Sequence, residues 1–116
     1  MDATIINALE DQITKSEKVI RKAEALKRLR MNPDFIQIIE QDYLREQAIE
    51  LALFRGSITC TGTLAEDADK GIIGIGQFND YLKSISRNAE IAEQSIAACR
   101  AEIVAIETNE NEEEFN

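Results

Sequence analysis

The sequence predicts an all-α protein: a long antiparallel helical hairpin, coiled-coil-like, with a small helical head between its two long helices. Three observations carry this prediction. Apolar or small residues recur at Ile75, Phe78, Leu82, Ile85, Ala89, Ala92, Ile96, Cys99, Ile103 and Ile106. Their spacing alternates between three and four, which keeps one face of a helix apolar and buries it against other helices. Ile6, Leu9, Ile13, Ser16, Ile20 and Ala23 repeat that alternation near the N-terminus. Finally, the chain is 44% hydrophobic but only 5% aromatic, with one Pro and no Trp, a composition that favours long helices over a sandwich or barrel.

The first helix is expected over about 2–30. Asp2 stands where an N-cap or a carboxylate at the positive end of the helix dipole is favoured. Ile5, Val19, Leu26 and Leu29 widen the apolar stripe, as in a bundle where more than one helix is touched. Seven of the 13 basic residues lie between positions 15 and 30. Cations near a helix C-terminus suit its dipole, and the same face is able to dock an acidic partner.

Met31-Asn32-Pro33 breaks the pattern. Asn32 suits an N-cap and Pro33 suits the first helical position after it. A helical head is expected over about 33–70. It presents Phe35, Ile36, Ile38 and Ile39, then Tyr43, Leu44, Ala48, Ile49 and Leu51, either on two short helices or on one running 33–55. Gly56 ends it, as Gly does beyond helix C-termini. Residues 56–63 read as a loop, and Thr63 to Glu66 has capping-box spacing. Gly71, Gly74 and Gly76 disfavour a helix by ~1 kcal/mol each relative to Ala. A bend or fresh start is therefore expected there, with the last long helix over about 75–107. At ~1.5 Å per residue the two long helices match in length. Residues 1–108 read as one domain. Residues 109–116 contain four of the 22 acids and read as a disordered acidic tail, too polar to offset the entropy of ordering.

The net charge of −9 removes the attraction that drives general nucleic-acid binding and anionic-membrane binding. Neither partner is expected. There is no His, which excludes His-based triads, Glu-x-x-His di-iron bundles and His-containing zinc sites. Cys60 and Cys99 are read as reduced thiols, Cys99 packing as a small hydrophobe on the seam. The Gly71-x-x-Gly74-x-Gly76 run has neither phosphate-loop order. Acid pairs abound without the apolar setting that raises a catalytic pKa. Glu66-Asp67-x-Asp69 lacks the EF-hand order. No catalytic residue, cofactor or metal is assigned.

The run from Asn32 to Ala48, NPDFIQIIEQDYLREQA, followed by Gly74 to Leu82, GIGQFNDYL, resembles a family of small helical coiled-coil proteins of tailed bacteriophages. In that family a coiled-coil helix, an NPDF turn, a short helix and a final coiled-coil helix with Q-F-x-x-Y-L follow in this order. The resemblance covers about three quarters of the chain and implies a product of the virion-assembly region without enzymatic activity. The loop at 56–63 and the tail depart from it. It implies a protein partner, a phage structural protein or a host factor, and residence in the host cytoplasm or the virion. A homo-oligomer is expected because two long helices alone bury little surface. Contact residues are expected at Phe35, Tyr43, Leu44 and Phe54 on the head. Glu112, Glu113, Glu114 and Phe115 form a second candidate, a flexible acidic segment with a terminal aromatic that enters a basic groove. The alternative function is an acidic inhibitor or decoy that binds a host nucleic-acid-binding or defence factor through that tail. Truncation after Ile106 separates the two: a protein working through its head keeps partner binding in a pull-down, and a decoy loses it.

Overall fold

A computed structural model describes the backbone of residues 2–115 and the side chains of residues 3–112. Every element among the described residues is helical: α1 Asp2–Leu29, α2 Pro33–Phe35, a π-helix Ile36–Gln47, α3 Ala48–Arg55 and α4 Thr63–Phe115. The long helices α1 and α4 pack against each other as an antiparallel hairpin. Contacts divide the chain into two compact units, Met1–Glu24 with Ile85–Asn116, and Ala25–Ser84. This division is finer than the single domain read from the sequence, because periodicity runs unbroken along both helices.

The first unit pairs the start of α1 with the second half of α4. Ile85, Ala89, Ala92, Ile96 and Cys99 are buried on α4, and Ser16 and Ala23 on α1. These are the residues that the three-four alternation selected. Ile103 and Ile106 are only half-buried, so the seam loosens towards the C-terminus. Ser16 is the buried polar residue among those described; its Oγ accepts from Gln12 Nε2 at 3.4 Å. Ile5 is 46% exposed and does not widen the stripe. Residues 109–115, expected in a disordered tail, continue α4 as helix to Phe115. Glu is a good helix former, so a helix already in progress extends through a Glu-rich run at little cost, although acids at its C-terminal end oppose the dipole.

The second unit holds the end of α1, the helical segment 33–55, the loop and α4 as far as Ser84. The segment 33–55 has no break: Ile36 and Ala48, at the two junctions, both have right-handed helical dihedrals. The one-helix alternative is therefore the observed one, with a wide-wound middle. α4 begins at Thr63, and the Gly62 carbonyl accepts from the Glu66 N–H at 3.2 Å. Gly62 thus stands at the cap position expected for Thr63, with φ of +58°, a conformation Gly adopts without strain.

α4 passes through Gly71, Gly74 and Gly76 as continuous helix, so the expected fresh start near Gln77 is absent. The reason is packing on both sides of the glycines. Ala68, Ile75 and Leu82 are buried at helical spacing across them, and that burial outweighs the intrinsic cost. Gly71 has a specific role: a Cβ there would lie 2.9 Å from Leu51 Cδ1, so α3 and α4 approach over a bare backbone. A Cβ at Gly74 or Gly76 would meet nothing within 4 Å. Gly74→Ala and Gly76→Ala are each expected to raise stability by about 0.5–1 kcal/mol in urea unfolding. Gly71→Ala gains clearly less, because its methyl must displace Leu51. Equal gains at all three positions contradict this packing.

Candidate protein-binding surface

The surface is built on the segment that follows α1. Asn32 Oδ1 accepts from the backbone N–H of Asp34 at 2.9 Å and of Phe35 at 3.4 Å, and Pro33 occupies the first helical position. This cap restarts the chain after the short turn at the end of α1. Ile36–Gln47 is a π-helix, the form whose hydrogen bonds run i→i+5. Such π-winding is rare, and its usual form is a single turn; here it extends over 12 residues.

Phe35, Ile36, Ile39, Glu40, Leu44 and Ala48 are half-buried along this stretch. Tyr43 anchors the segment to α4 through an edge-to-face contact with Phe78, with ring centroids 5.8 Å apart and an interplanar angle of 80°. Glu40 pairs with Arg30 at 3.3 Å. Arg55 Nε donates to Asp69 Oδ1 at 2.7 Å. That hydrogen bond, and then the Asp69 charge, hold the Arg55 guanidinium above its ordinary pKa.

Two open grooves lie side by side on the outer face. One is lined by Leu29, Asn32, Asp34, Phe35, Ile38 and Ile39. The other has a volume of about 420 Å³ and is lined by Ile38, Ile39, Asp42, Tyr43 and Gln47. Ile38 and Ile39 line both, so the two grooves adjoin there. Their charged residues, Asp34 and Asp42, are both acids, and neither makes an ion pair.

Of the residues predicted from sequence, Phe35 lines the first groove and Tyr43 the second. Leu44 is half-buried on the inward side, and Phe54 is 41% exposed on α3 outside the groove. Glu112 is exposed and belongs to the other unit. The side chains of Glu113, Glu114 and Phe115 lie outside the described residues. The sequence reading passed over Leu29, Asn32, Asp34, Ile38, Ile39, Asp42 and Gln47 as contact residues. The signal that finds Asp42 and Gln47 is their interval of four and nine from Ile38, which points to one face only once the winding is known.

Cys60 and Cys99 are both buried and free. Among the described residues no three His, Cys, Asp or Glu side chains converge as a metal site, and no helix is long and apolar enough to cross a membrane. No family model, no curated protein and no solved structure matches the chain. Asn32→Ala is expected to cost about 1 kcal/mol in urea unfolding, with Asn32→Asp keeping most of it. Unchanged stability in the Ala variant contradicts the capping role.

Proposed function

We propose that this chain is a non-catalytic helical protein that works by binding other proteins through the surface of residues 25–84, as an accessory of bacteriophage virion assembly. The observation that carries the binding reading is where large apolar side chains reach solvent. Met31, Ile38, Leu53, Leu64 and Ile73 are each more than half exposed, and Ile58 is 95% exposed, all within 25–84. In the other unit the exposed large hydrophobics among the described residues are Ile5, Ile91 and Val104. Exposed apolar side chains concentrated in one part of a chain supply the contact area an interaction surface needs. The assembly role rests on the order of the NPDF and QFNDYL motifs.

The test is light scattering of the chain mixed with phage structural proteins. The expected result is a complex with at least one of them. The Leu53→Glu, Ile73→Glu variant, altered at exposed positions, weakens the complex at least tenfold while far-UV circular dichroism stays unchanged. Failure to associate with any structural protein contradicts the assembly role. Undiminished association in the variant contradicts the surface.

A further inference from the structure

The geometry points to one occupant for the groove on the π-helix: an amphipathic helix of another protein, apolar on one face and flanked by Lys or Arg. This rests on the protein-binding reading above and narrows it to a site and a partner chemistry.

The first argument is shape. The groove holds Ile38, Asp42 with Tyr43, and Gln47, an interval of nine residues from end to end. Nine residues are about two turns of an i→i+5 helix, so these side chains share a face. In an α-helix Ile38 and Gln47 would lie about 180° apart and no groove would join them. With Leu29 and Phe35 continuing it, the groove offers a row of apolar contacts to a helix presenting residues at i, i+3 or i+4, and i+7.

The second argument is charge. Asp34 and Asp42 are the charged groups in the lining, and both are unpaired acids. Beside an apolar row they complement a helix with basic flanks and repel an acidic one. The third argument sets a second copy aside. Each chain carries a net −9, so two copies meet against mutual repulsion, whereas a basic segment is drawn in.

The probe is a synthetic amphipathic helical peptide of Leu and Lys, with a Leu and Glu peptide of the same pattern as control. Each is titrated into the full chain and read by amide chemical shifts and fluorescence anisotropy. The Leu–Lys peptide is expected to saturate and to shift Ile38, Ile39, Asp42, Tyr43 and Gln47 together. The Leu–Glu peptide leaves them unmoved. Asp34→Asn with Asp42→Asn weakens binding by about three- to tenfold, the range for two exposed ion pairs. Ile38→Asp, a change at a side chain 60% exposed, weakens it by more than tenfold with circular dichroism unchanged. Equal binding of both peptides overturns the inference. So do shifts confined to the acidic residues after Ile106, and so does a peptide-free, concentration-dependent shift of the same five amides with a doubled mass. If the peptide fails while the chain still forms a complex with a structural protein, the groove assignment falls and the protein-binding reading stands; if both fail, both fall.

Discussion

A buried helix must keep its apolar residues on one side, so the interval between those residues and the winding of the helix have to agree. That constraint organises this chain. In the long helices the interval alternates three and four, close to the 3.6 of an α-helix, and α1 and α4 wind accordingly. Between Ile36 and Ala48 the half-buried residues, Ile36, Ile39, Glu40, Leu44 and Ala48, follow no single interval, and the helix there is a π-helix. The wide winding also decides what faces outward. Ile38, Asp42, Tyr43 and Gln47 come onto one face, and a sequence stretch without an α-helical stripe becomes a groove.

The rest of the packing is economical in volume. Ser16 and Ala23 on α1, and Ala89 and Ala92 on α4, are buried small residues. Small residues on a seam let helices approach closely. They also bury little apolar area, and no large side chain among the described residues is fully buried. The unit formed by 25–84 adds a second device, the bare Gly71 backbone against Leu51. With so little interior, the large Ile, Leu and Phe side chains of 25–84 stay at the surface, where a partner is able to cover them.

Much of the fold was legible in the sequence because its signals are local. The alternation on α4 named the buried residues from Ile75 to Cys99, and Asn32-Pro33 named the restart after α1. The glycines misled because intrinsic propensity is a small per-residue cost, while burial of Ala68, Ile75 and Leu82 on both sides of them is a tertiary gain. The acidic end misled in the opposite sense: low hydrophobicity argued for disorder, and helix propensity carried α4 onward to Phe115. At the groove, Phe35 and Tyr43 were legible as aromatic side chains on a short helix. Asp42 and Gln47 were not, because their place beside Ile38 depends on a winding that α-helical periodicity does not anticipate. Leu44, also expected at the contact surface, is half-buried.

The account stands on the winding of 36–47, and nuclear magnetic resonance reads winding directly through couplings transmitted across hydrogen bonds. On the isotope-labelled full chain, the amides of 41–47 are predicted to couple to carbonyls five residues back, while those of 85–100 couple to carbonyls four residues back. Couplings to the fourth residue throughout 41–47 would contradict the account, since Ile38 and Gln47 would then face opposite ways and the groove would not exist.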